Sequence, residues 1–138
     1  MKEYRFNDIK INMTEKFTIQ ITNEMIEIFS KLCGDINPLH VNADYAKEKG
    51  FKDKVVHGMM TASFYSTLVG IYLPGRYSLL QGLNITFNSP SYAEDILEIK
   101  GEVSYINEAY RQIEIDAYIC NQNGKKISKA KIKVGFYE

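Results

Sequence analysis

Gly58–Leu73 reads GMMTASFYSTLVGIYL, a stretch without a single charged residue, and its reading decides the fold. It is too short to span a bilayer comfortably, so the rest of the chain must cover it. The composition predicts a helix buried on all sides. Small residues, among them Gly58, Ala62, Ser63, Ser66 and Gly70, would let other backbone approach closely, and Pro74 and Gly75 end the element.

The cover lies downstream. SLLQGLNITFN, DILEIKGEVSYI, RQIEIDAYIC and KISKAKIKVGFY carry the branched and aromatic residues of sheet, and Asn123-Gly124 marks a hairpin. In the third segment Ile113, Ile115, Ala117 and Ile119 face one way. In the fourth, Ala130, Ile132, Val134 and Phe136 oppose Lys129, Lys131 and Lys133. Strands with one dry face and one wet face are antiparallel and half-covered. Four or more of them beside one apolar helix have a natural solution, a sheet curled around the helix. The expected class is α+β.

At 138 residues the chain suits a single domain, residues 1–138. Seventeen basic residues against seventeen acidic ones give no global field for gripping nucleic acid. Cys33 and Cys120 have neither a disulfide framework nor zinc-ligand spacing and read as reduced, buried thiols. The start, MKEYRFNDIKINMTEKF, breaks every apolar run with charge, so no signal peptide is expected. The reading is a cytoplasmic protein with no membrane partner.

Upstream of the helix, FTIQI alternates as a short strand and TNEMIEIFSKLCG changes to a helical period. Thr22 or Asn23 caps its start and Gly34 its end, with Met25, Ile26, Phe29, Leu32 and Cys33 on the apolar face. After GDINPLH, the segment NADYAKEKGFKDK forms one or two polar helical turns. Its lysines, Lys47, Lys49, Lys52 and Lys54, are either a solvated face or a rim for phosphates.

Between these elements stands CGDINPLHVNADYA, residues 33–46. Gly34, Asp35, Asn37 and Pro38 suffice to turn a chain, but a turn has no need of His40. Two readings are open. Asp35 closes an Asx-turn while His40 packs in the core, or the two converge on one water as a general acid–base pair, with Asp35 buried beside the apolar helix. VVHGMMTAS adds a third group. Gly58 falls in the first helical turn, where N–H groups lack intrahelical acceptors and the dipole is positive, a setting for a developing oxyanion. The alternative is a glycine needed for close packing, with His57 only flanking the turn.

Taken with VVHGMMTASFYS and LPGRYSLLQGLNITF, the segment FSKLCGDINPLHVNADYA resembles the MaoC-like hydratases, specifically the (R)-specific enoyl-CoA hydratases of the hot-dog fold. The resemblance extends over nearly the whole chain, and its GDxNPLH core is its most specific part. It implies reversible hydration of a trans-2-enoyl-CoA to a (3R)-3-hydroxyacyl-CoA. Asp35 and His40 would hold and activate the water, Gly58 N–H would polarise the thioester carbonyl and Asn37 would shape the loop. His57, Ser63, Ser66 and Val69 are the further substrate-binding candidates, with core packing as the other reading of Ser66 and Val69. Tyr65, Tyr72 and Tyr77 would crowd the pocket and favour short acyl chains. A homodimer or higher homo-oligomer is implied, with the thioester at the subunit interface.

Coenzyme A would enter as part of the substrate, with no separate cofactor. No metal is expected, because His40 and His57, the only histidines, sit at no ligand spacing from acids or cysteines. Three rival readings remain. Dehydration of a (3R)-3-hydroxyacyl-[acyl carrier protein] would use the same pair. A thioesterase would place an acid on the central helix, and Gly58–Leu73 has none. A non-catalytic acyl-CoA binder would have no use for Asp35.

Overall fold

The computed structural model describes all residues, 1–138. Five strands form one antiparallel sheet: β1 (Thr14–Gln20), β2 (Ser78–Phe87), β3 (Ile96–Asn107), β4 (Gln112–Cys120) and β5 (Lys126–Phe136), in spatial order β1-β3-β4-β5-β2. β1 and β2 are therefore the edges. Helix α1 (Asn23–Cys33) follows β1, the short helices α2 (Pro38–Val41) and α3 (Ala43–Glu48) come next, and α4 (Gly58–Thr67) continues into a π-helical turn, Leu68–Tyr72.

The alternation expected in β4 and β5 sets the register of the core. Ile99, Ile113, Ile115, Ile119 and Ile132 are wholly buried, together with Tyr65, Leu68 and Leu73 from the helix and its end. Tyr65 sits so deep that burial pushes its phenol up to about 12. Its hydroxyl lies 2.8 Å from Ser128 Oγ, also buried, so the polar tip is satisfied inside the core.

Three expectations need correction. First, α4 is not covered all round. Met59 is 63% exposed, and Ser63, Ser66 and Ile71 continue that open side. Edge strand β2 likewise leaves Leu79, Leu80, Leu83 and Phe87 exposed. Second, Pro38, read above as a residue that turns the chain, opens helix α2. A proline at the first helical position lacks only an N–H that has no intrahelical acceptor. Third, Cys33 is exposed and Cys120 only partly buried, and Leu32 is 80% exposed. The burial stripe of α1 runs through Ile26 and Ser30, which turns Leu32 and Cys33 outward. No helix of the chain is long and apolar enough to cross a membrane.

Candidate active site

The chain leaves α1 through Gly34, whose φ of 79° is left-handed and whose N–H donates to Ser30 O at 2.9 Å. Two side-chain caps then fix the loop. Asp35 Oδ1 accepts from Asn37 N at 3.1 Å, and Asn37 Oδ1 accepts from Leu39 N at 3.0 Å, starting α2. Asn37 thus shapes the loop through its own amide. One helical turn later His40 reaches inward, and its Nδ1 lies 2.6 Å from the carbonyl oxygen of Val55. A carbonyl can only accept, so Nδ1 carries the proton and Nε2 presents a lone pair.

That lone pair faces Asp35. The Nε2–Oδ2 separation is 3.7 Å, with the His40 side chain 16% exposed and that of Asp35 51%. This is too long for a direct hydrogen bond, and a carboxylate oxygen and an imidazole lone pair are both acceptors. A water at the apex can donate one O–H to each, keeping its own lone pairs for attack. The Asx-turn reading of Asp35 and the acid–base reading are therefore compatible, since Oδ1 closes the turn and Oδ2 faces His40. Burial of Asp35 is not observed, because the loop carries its side chain to the surface.

His57 lies beneath this pair. Its ring stacks on His40 with centroids 3.9 Å apart and planes 25° apart, and Phe29 packs against it at 5.1 Å. Nε2 is 2.9 Å from the backbone oxygen of Asp35 and 3.3 Å from Ser30 Oγ. Only 2% of the residue is exposed. Folding thus brings Asp35, His40 and His57 within 4.8 Å of one another, a set with metal-ligand chemistry that sequence spacing did not suggest. The geometry suits a chelate poorly. Lone pairs lie in the ring planes, so stacked rings direct them side by side, and His57 Nε2 is committed to Asp35 O.

Gly58 opens α4 next to His57. A Cβ there would stand 3.1 Å from Cε1 of Phe87 on β2, so close packing by itself favours glycine. His40 and Gly58 share the wall of a cavity of about 320 Å³ with Phe51, Thr61, Phe87 and Ser91. A second cavity of about 390 Å³ also reaches His40 and is bordered by Lys31, Ile36 and Lys54. The largest hollow, about 660 Å³ over Lys100, Tyr118 and Lys129 on the sheet, holds neither histidine. Size does not locate the chemistry here.

The remaining substrate-binding candidates stand outside both cavities at His40. His57 lines neither cavity at His40, and the same holds for Ser63, Ser66 and Val69. Ser63 and Ser66 belong to the open side of α4, and Val69 is in the core. The three tyrosines do not crowd the site either. Tyr65 is bonded to Ser128, Tyr72 stacks on Phe17, and Tyr77 lies under Arg5. The sequence reading missed Ser30, the Val55 carbonyl and the Phe87–Ser91 turn, all placed by tertiary contacts that residue spacing does not encode.

The match that decides the family is to the MaoC like domain, over residues 7–122. The chain belongs to the MaoC-like domain family. Among relatives, an (R)-specific enoyl-CoA hydratase of Rhodospirillum rubrum is 36% identical over 85 residues, which span 62% of this chain and 59% of that one. A mitochondrial 3-hydroxyacyl-[acyl-carrier-protein] dehydratase of Solanum lycopersicum is 34% identical over 123 residues, 89% of this chain and 70% of that one. Among solved structures, the (R)-hydratase from A. caviae superposes with a TM-score of 0.89 at 26% identity, covering 94% of this chain and 98% of that one. The fold expectation is met: the MaoC-like chain is a hot-dog, an antiparallel sheet around a central helix.

Proposed function

We propose that this MaoC-like protein adds water reversibly to a trans-2-enoyl-CoA, giving a (3R)-3-hydroxyacyl-CoA. One observation carries the reading: Asp35 Oδ2 and His40 Nε2, two acceptors 3.7 Å apart, frame a place for a single polarised water. In the forward direction the water oxygen bonds to C3 while one of its protons passes to the pair, and C2 receives a proton as the C2–C3 double bond is lost. Gly58 N–H, at the positive end of α4, donates to the thioester carbonyl as charge builds on its oxygen. The addition is redox-neutral and transfers no group, so it needs no cofactor beyond the coenzyme A of its substrate. The names of the R. rubrum and A. caviae relatives support the (R) configuration.

The cavity with Gly58 suits the acyl thioester, being walled by Phe51, Val55, Val56, Phe87 and Ile127. Of the four lysines between 47 and 54, only Lys54 borders a cavity at His40, where Lys31 joins it. These two cations suit the phosphates of coenzyme A. They also suit an acidic carrier protein, and the Solanum relative favours dehydration of a carrier-bound (3R)-3-hydroxyacyl group as the second reading. The protein acts in the cytoplasm as a homodimer. The open side of α4 and the apolar edge β2 are the surfaces such a pairing would cover, and an unpaired edge of this kind invites a second strand.

Loss of enoyl absorbance with trans-2-enoyl-CoA substrates of graded length, with the product's configuration determined, tests the proposal. Hydration to the (3R) alcohol is expected. Turnover of carrier-bound substrate alone would transfer the reading to the dehydratase, and turnover of neither would remove both.

A further inference from the structure

His57 has no place in the mechanism above, yet it is among the most constrained side chains in the molecule. The carbonyl of Asp35 can only accept, so the 2.9 Å contact puts the proton of His57 on Nε2. Nδ1 is then a bare lone pair, buried and without a partner. A buried acceptor left unpaired is a cost, and leucine or phenylalanine would fill the same space without it. Imidazole supplies what they lack together: a flat ring that stacks on His40 at 3.9 Å and an N–H aimed at the backbone of Asp35. The two histidines thus hold opposite tautomers. His40 donates from Nδ1 to Val55, leaving Nε2 free for chemistry, and His57 donates from Nε2.

On the basis of the hydratase reading, we infer that His57 is a positioning residue, one ring that fixes both members of the acid–base pair by stacking beneath His40 and tethering Asp35 through its carbonyl. Asp35 needs the tether because its side chain is half exposed and the bonds beside it, Gly34 N–H to Ser30 O and Asn37 N–H to Asp35 Oδ1, are local in sequence. Without it the 3.7 Å frame for the water would open.

The test compares wild type with His57→Phe, His57→Gln and His57→Leu. Phenylalanine keeps a stacking ring and loses the donor; glutamine keeps an N–H directed at Asp35 and loses the ring; leucine lacks both. Crotonyl-CoA hydration is measured per folded molecule, with the folded fraction taken from circular dichroism, and ligand-free crystal structures are solved for wild type and His57→Phe. The kcat is expected to fall about 10-fold in the Phe and Gln variants and about 100-fold in Leu, the size of a displacement of about 1 Å at a reacting group. KM should stay within about threefold, and the Asp35–His40 separation should widen in the Phe structure.

A ring that merely fills space would lower the melting temperature and leave kcat per folded molecule unchanged. That result, or an unchanged separation, overturns the inference. If the Leu variant does not fold, the Phe and Gln variants carry the comparison. If wild type hydrates no enoyl thioester, the hydratase reading fails, and the crystal structures still decide whether His57 holds the pair.

Discussion

The inner face of the β3-β4-β5 sheet and the loop from Gly34 to Asn42 are stabilised by opposite means. On the sheet, Ile99, Ile113, Ile115 and Ile132 are sealed from water, and order comes from many mutually packed apolar groups. The loop has no buried residue. It is ordered by two side-chain caps, by the Val55 carbonyl and by the His57 contact to Asp35. The difference teaches where chemistry can sit. On the proposed reading the acid–base pair needs water within reach, which the thinly packed region allows, and its geometry must then be set by directional hydrogen bonds. The sheet is free to supply stability alone.

The comparison can be broken most forcefully at the sheet. Ile115→Ala should cost about 4 kcal/mol of unfolding free energy, in the range for emptying a packed site, while turnover per folded molecule stays at the wild-type level. Denaturant melts paired with activity measure both, and a large change in turnover would show that core and loop are not independent.

The next largest effect separates the two roles of Gly58. Alanine and proline both place a Cβ against Phe87, but only proline removes the N–H. Proline is tolerated at the first helical position, and His57, at φ −54° and ψ 127°, already has a backbone that a following proline accepts. Beyond whatever alanine does, Gly58→Pro should lose about 100-fold or more in kcat, the usual size for one oxyanion donor. Equal kcat values would leave Gly58 a packing residue only.

Tyr65→Phe should cost about 1–2 kcal/mol by leaving Ser128 unpaired. It also tests the raised phenol. A group that ionises near 10 when unfolded and near 12 when folded contributes stability fully below pH 10, and the contribution is lost as the pH rises towards 12. The stability gap between wild type and variant should therefore narrow above pH 10 in melts at graded alkaline pH. A gap independent of pH would contradict the assignment. The smallest effect is expected at the start of α1, where Thr22 Oγ1 accepts from Met25 N. Thr22→Ala should cost about 1 kcal/mol without altering kcat, and a lower kcat would show that α1 transmits strain to the loop.

The two regions also differed in how far the sequence revealed them. The sheet was legible because a period of two in Ile113–Ile119 and Ala130–Phe136 has one solution for which face is dry. The helix Gly58–Leu73 was legible as an element but not in its exposure. An apolar stretch announces that something must cover it, and neither composition nor period says whether this chain supplies the cover. In the loop, residue types offered an acid–base pair at Asp35 and His40 as one of two readings, and the Gly34 turn followed from its place after α1. The exposure of Asp35, the stacking of the two histidines and the Val55 acceptor depend on how α1, α2 and α4 meet, and no local spacing records that.

The most direct test of the central claim is turnover of crotonyl-CoA by Asp35→Asn and His40→Ala beside wild type. Asparagine retains the oxygen that accepts from Asn37, so the loop should keep its shape while the carboxylate charge is lost. Each variant should lose at least about 100-fold in kcat, as expected for an acid–base group, and the double variant should be little worse than the poorer single one, since the two act as a unit on one water. Wild-type turnover in either single variant would contradict the account.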